Sequence, residues 1–149
     1  MPVSRLSPES PKPFIRKLLE SKFIPMPLFA LVVDDSMLIR HTVCRSLEKR
    51  GFQVQTASDG AAALEALSAI HPDVIFTDMQ MPNVTGPELI DALKTSPKTA
   101  QIPIVVLAAK PLSGDIPETR AHSVIYKDVN IEEQLKQVLE NLFPSGVTT

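Results

Sequence analysis

The apolar run over residues 28–33 (Leu-Phe-Ala-Leu-Val-Val) stops abruptly at Asp34 and Asp35. With no polar residue alternating through it, the run cannot leave one face in water, which marks a parallel strand buried on both faces. The rest of the chain fits that start. Ser36 can cap a helix in which Ile39, Val43 and Leu47 repeat every four residues until Gly51. A second strand is expected over 52–56, and Asp59-Gly60 opens an alanine-rich helix carrying Leu64, Leu67 and Ile70. A third strand over 74–77 is followed by a loop through Gly86 and a helix over 88–93. Strands over 102–107 and 124–126 come next, and Ile131, Leu135, Val138, Leu139 and Leu142 draw the inner stripe of a closing helix. Strands that alternate with helices require crossover connections, so the expected class is α/β, a doubly wound five-stranded parallel sheet covered on both faces. No internal repeat is present.

A chain of 149 residues suits one such domain and can bury a full core. A net charge of -2 gives no general pull toward nucleic acid or an anionic membrane. The single cysteine, Cys44, excludes an internal disulfide and argues against a cysteine-based zinc site. No apolar run is long enough to span a bilayer, and Pro8, Pro11 and Pro13 interrupt any secretory signal, so a reducing, cytoplasmic setting is expected. Before Leu28 stand six of the fourteen prolines: Pro2, Pro8, Pro11, Pro13, Pro25 and Pro27. Between them Phe14, Ile15, Leu18 and Leu19 recur at helical spacing, with Arg16, Lys17 and Lys22 off the stripe. Residues 1–27 therefore read as a proline-rich arm with a short amphipathic helix, a linker or packing arm rather than a membrane or nucleic-acid contact. The folded domain is placed at 28–143 and a tail at 144–149.

In an open parallel sheet, functional groups gather at the carboxyl ends of the strands, near the switch in strand order. Asp34 and Asp35 follow the first strand and Asp78 follows the third. If those strands are neighbours the three carboxylates converge, and at ~4 Å with an effective dielectric of ~20 each like-charge pair costs about 4 kcal/mol. A cation or a proton must relieve them. Hard carboxylate oxygens suit magnesium, which keeps several waters and takes one or two protein carboxylates plus phosphate oxygens. Lys127, just beyond the fifth strand, adds a compact positive charge able to reach a phosphoryl oxygen. Taken singly, each residue has a plain reading: a helix cap, a turn residue, a surface lysine. Together, at the ends of three strands, they point to a site. His41, His71 and His122 show no metal spacing, Cys44 reads as a small core residue, and Met79 and Met81 read as packing for the loop after Asp78.

These residues resemble the receiver domains of two-component response regulators. The likeness rests on Leu-Val-Val-Asp-Asp-Ser at 31–36, the helix start at Asp59-Gly60-Ala61, and the stretch from Asp78 through Met81-Pro82 to Gly86. Pro103 leading the fourth strand and Lys127 after the fifth complete it. The resemblance implies a flavodoxin-like strand order, 2-1-3-4-5. It implies that Asp78 accepts a phosphoryl group from a sensor histidine kinase or phosphotransfer protein. Asp35 would bind Mg2+ directly, Asp34 mainly through water, and the Gln80 backbone carbonyl would complete the protein ligands, while Lys127 pairs with the phosphoryl group. The chain would be no enzyme beyond self-catalysed acceptance and slow dephosphorylation. Its output would be a protein contact, self-dimerisation or onward transfer, since no output domain fits after Leu142.

Three positions depart from that pattern. The Ser or Thr usual at the end of the fourth strand is Ala108, the switch aromatic three residues before the lysine is Val124, and the proline after the lysine is Asp128. Pro111, Gly114 and Pro117 break up the expected fourth helix, which should be irregular or shortened. The alternative these departures favour is a pseudo-receiver, a binding module of the same fold that works without phosphorylation. An aspartate-nucleophile phosphohydrolase fits less well, because its nucleophile would follow the first strand with a second acid two positions on.

Overall fold

The computed structural model describes residues 27–109 and 120–144. Within them the strands are β1 (Phe29–Val33), β2 (Gln53–Ala57), β3 (Val74–Asp78), β4 (Ile104–Ala108) and β5 (Ser123–Tyr126). The helices are α1 (Met37–Lys49), α2 (Gly60–Leu67), α3 (Gly86–Thr95) and α4 (Ile131–Leu142). All strand pairs are parallel, in the order β2-β1-β3-β4-β5. The arm over 1–26, the broken stretch over 110–119 expected to hold the irregular fourth helix, and the tail over 145–149 lie outside the described residues.

Strand alternation divides the interior into two clusters. Leu31, Val33, Ile75, Ile104 and Val106 face one way, against Ala63 and Leu67 of α2 and Leu89, Ile90 and Leu93 of α3. Ala30, Val32, Val74, Phe76, Val105, Leu107 and Ile125 face the other, against Val43 and Leu47 of α1 and Ile131, Leu135 and Leu139 of α4. Truncating one of these fully buried leucines to alanine costs about 2–5 kcal/mol, the lost transfer term plus the cavity left behind. The amino ends of the strands are tied by Asp73: its N–H donates to the Phe29 carbonyl (2.7 Å) and its Oδ2 accepts from the Phe29 N–H (2.8 Å).

The expected caps are present. Ser36 accepts from the Ile39 N–H, Asp59 from the Ala62 N–H, and Gly51, at φ 89°, takes the left-handed turn after α1. α3 runs longer than expected because Thr85 and Glu88 form a reciprocal capping box with Pro87 in the first turn. One assignment is corrected: α2 ends at Leu67, so Ile70, expected on this helix, lies past its end yet is buried. Leu64 is 38% exposed, because α2 turns Gly60, Ala63 and Leu67 inward at helical spacing. β4 begins at Ile104 rather than at residue 102, and Pro103, without an N–H, joins the sheet through its carbonyl, which accepts from Ile75 (3.0 Å).

Candidate functional site

β1 and β3 are adjacent in the sheet, so the groups that follow them meet at one edge. Asp34 is fully buried and held at three points. Its N–H donates to the Ala57 carbonyl (3.2 Å), its Oδ1 accepts from the Ser36 N–H (2.8 Å), and its carbonyl accepts from Arg40 Nη1 (2.7 Å). Asp35, next in sequence, is exposed. Asp78 ends β3 and is 6% exposed. Its carbonyl accepts from Thr77 Oγ1 (2.9 Å), and its Oδ1 lies 3.4 Å from the Gln80 N–H. Gly86 packs beneath this turn: a Cβ there would stand 2.5 Å from the Asp78 carbonyl oxygen and 2.6 Å from Met79 Cα. Only glycine fits without moving the backbone that carries Asp78.

One carboxylate oxygen from each of Asp34, Asp35 and Asp78 lies within 4.8 Å of the others. Lys127 enters from the end of β5, its Nζ 2.8 Å from Asp34 Oδ2 and 3.0 Å from Asp78 Oδ1. Asp34 Oδ2 is buried and accepts no hydrogen bond of good angular geometry, so the nearby ammonium serves it as an ion-pair partner. Burial holds the Asp34 carboxyl above the usual carboxylate range and the Asp78 charge adds to this, against the opposing pull of Lys127 and the Ser36 N–H. Burial works to lower the Lys127 ammonium, but its contacts with Asp34 and Asp78 outweigh this and hold it above the ordinary lysine value. With all three carboxylates ionised beside one ammonium, two negative charges stay uncompensated.

The structure thus brings together Asp34, Asp35, Asp78 and Lys127, as the sequence suggested. Gln80 lies at the rim, its N–H toward the acid cluster. The histidines stay apart: His41, His71 and His122 are all exposed. Met81 is buried and Met79 half-buried in the cluster beside α2 and α3. Cys44 is half-buried, its thiol pushed up to about 11 by burial and then by the Glu48 charge. Two residues escaped the sequence reading. Arg40 buttresses the Asp34 carbonyl, and Gln134 on α4 holds the end of β5. Neither belongs to an apolar stripe or a cap, so no local signal marks them.

The family model described as "Response regulator receiver domain" matches residues 30–140. The chain belongs to that receiver-domain family. The phosphate regulon transcriptional regulatory protein PhoB of Escherichia coli is 35% identical to it over 123 residues, covering 78% of this chain and 54% of PhoB. The chain therefore spans about half the length of that relative. Among solved structures, the chemotaxis response regulator CheY4 of Vibrio cholerae is 30% identical, with a TM-score of 0.72 over 79% of this chain and 100% of that one. The response regulator TrrA of Thermotoga maritima, solved in complex with Mg(2+)-BeF, is 28% identical, with a TM-score of 0.67 over 78% of this chain and 99% of that one. Within this receiver domain the departures cluster at β4 and β5. Ala108 ends β4 without a hydroxyl, Val124 packs half-buried against the α2–α3 side, and Tyr126 is half-buried two residues on.

Proposed function

We propose that this receiver domain accepts a phosphoryl group on Asp78 from a sensor histidine kinase or phosphotransfer protein. The observation that carries the reading is Lys127, whose ammonium bridges buried Asp34 and Asp78 at the mouth of a three-carboxylate cluster. With Asp78 Oδ1 occupied by Lys127 and the Gln80 N–H, Oδ2 would be the oxygen that attacks phosphorus. The new Oδ2–P bond forms as the P–N bond to the donor imidazole breaks, and the leaving imidazole keeps the electron pair and takes a proton. Such a transfer is loose and charge-rich, so positioning and neutralisation supply most of the rate. Lys127 would shift from the carboxylates to a phosphoryl oxygen as charge moves there.

A divalent cation fits the donor set: three hard carboxylates, two uncompensated charges, and a buried Asp34 Oδ2 without a well-formed hydrogen bond. Asp35 and Asp78 would hold Mg2+ directly, Asp34 mainly through water, and the Gln80 carbonyl would complete the set. Bound there, the ion supplies neutralisation of charge on the transferring oxygens. The likeness to TrrA, solved with Mg(2+)-BeF, supports this assignment. The protein acts as a phosphoprotein switch and not as a turnover enzyme, with only self-catalysed acceptance and slow loss of the group. Gain of about -1.5 to -2 charge then biases a protein contact or self-dimerisation. Among the described residues no helix is long and apolar enough to cross a membrane. Ala108 and Val124 favour one rival, a pseudo-receiver that works unphosphorylated.

Intact mass after incubation with magnesium and acetyl phosphate separates the two. The wild-type chain should gain one phosphoryl group and Asp78→Asn none. No adduct on the wild-type chain would favour the pseudo-receiver.

A further inference from the structure

We infer that Gln134 is a positioning residue for Lys127, an assignment that builds on the phosphoacceptor reading above. Lys127 carries its charge on a flexible four-carbon stem, so where the ammonium rests depends on how firmly its backbone is held. That backbone follows β5, which is an edge strand and only four residues long. On the sheet side the Lys127 N–H donates to the Ala108 carbonyl (2.9 Å). On the other side, the residue just before it is gripped by one side chain. The Tyr126 N–H donates to Gln134 Oε1 (2.9 Å), and Gln134 Nε2 donates to the Tyr126 carbonyl (2.8 Å).

The turn after Lys127 offers little else. The Val129 N–H reaches the Tyr126 carbonyl only at 3.4 Å, and Asp128 stands where a proline would have limited the backbone. Gln134 itself is fixed, because it lies on α4 between Ile131 and Leu135, both buried in the core. A planar amide that satisfies both the N–H and the C=O of one edge residue therefore passes the rigidity of α4 to the strand end bearing Lys127. Edge-strand backbone groups do need partners, and a purely structural role would end there. The positioning role goes further: it requires that the effect of Gln134 on the site run through the ammonium.

The test is a double-mutant cycle with two readouts. Gln134→Leu should slow acetyl-phosphate labelling of Asp78 by roughly ten- to a hundredfold, the penalty of a misplaced catalytic group. It should also tighten magnesium binding, at least about threefold, because a displaced ammonium no longer repels the cation from Asp34 and Asp78. Lys127→Ala should do both, and in that background Gln134→Leu should change neither further. Gln134→Glu, which keeps the acceptor for the Tyr126 N–H, should lie between wild type and Gln134→Leu. It also serves as the test variant if leucine disturbs folding, as judged by thermal midpoint. Labelling losses that multiply in the Lys127→Ala background would overturn the inference, as would wild-type labelling and magnesium affinity in Gln134→Leu. If the wild-type chain takes no phosphoryl group, the phosphoacceptor reading fails, while the magnesium measurements still decide the role of Gln134.

Discussion

At the β1–β3 side of the carboxyl edge, the acids sit on strands paired on both flanks, and the surrounding backbone is pinned repeatedly. Asp34 is held through its N–H, carbonyl and Oδ1, and Asp78 is held by Thr77, by the Gln80 N–H and by the close approach of Gly86. At the β4–β5 side the sheet ends. Ala108 offers no hydroxyl, Val124 no ring, and the Lys127 backbone is anchored by one ladder bond and, through Tyr126, by the Gln134 amide. The contrast separates two jobs. Groups that form the acceptor lie where the fold itself fixes them, whereas groups that would report its state lie at an edge that can change without loss of the acid cluster. All three departures from the family pattern fall on the second side.

The contrast can be broken or sharpened by substitution. The largest effect is expected at Lys127, the one point where the edge enters the chemistry. Lys127→Ala should slow acetyl-phosphate labelling about a hundredfold, the usual cost of removing one preorganised electrostatic group. A rate within a few-fold of wild type would place the needed positive charge elsewhere. Next comes the central side. Gly86→Ala should lower stability by about 1–3 kcal/mol in urea titrations, since the added methyl must move the Asp78 carbonyl or Met79. An unchanged midpoint would mean that this turn is looser than the contacts indicate. Restoring a hydroxyl at the edge with Ala108→Ser should speed labelling, up to about tenfold, through one hydrogen bond to a charged oxygen. No gain would show that β4 already meets the phosphoryl group in another way.

The smallest effect lies behind the acids, on α1. The Cys44 thiol is raised from 9.0 to about 11 in the fold, so the folded chain holds that proton more tightly than the unfolded one. The associated stability is present below about pH 9 and lost as the pH rises through about 11. The stability of wild type relative to Cys44→Ala, followed by urea midpoint across that range, should decline. A flat difference would mean that the thiol is more open to water than its half-buried position suggests.

What the sequence revealed followed the same division. Asp34, Asp35 and Asp78 were legible because apolar runs end at them or just before them, and strand ends in a parallel sheet are where chemistry collects. The strand order came from the family resemblance and is the order observed. Which face of the alanine-rich α2 turns inward was not legible, because such a helix offers two apolar faces; Gly60, Ala63 and Leu67 take the inner one and Leu64 the outer. The Lys127–Asp34 pair joins groups far apart in the chain, so only the assembled sheet places them together. Gln134 was invisible for a related reason. A side chain bonding to main chain eight residues earlier, across a turn from strand to helix, has no periodicity to betray it. Arg40 lies off the apolar stripe of α1, and nothing local in the sequence links its guanidinium to the Asp34 carbonyl.

The most direct test of the account identifies the acceptor carboxylate itself. Borohydride reduces an aspartyl phosphate to homoserine, leaving a permanent mark at the residue that carried the phosphoryl group. After labelling with magnesium and acetyl phosphate, reduction and peptide sequencing by mass spectrometry should find homoserine in place of Asp78 and nowhere else. Homoserine in place of Asp34 or Asp35, with residue 78 still aspartate, would contradict the account.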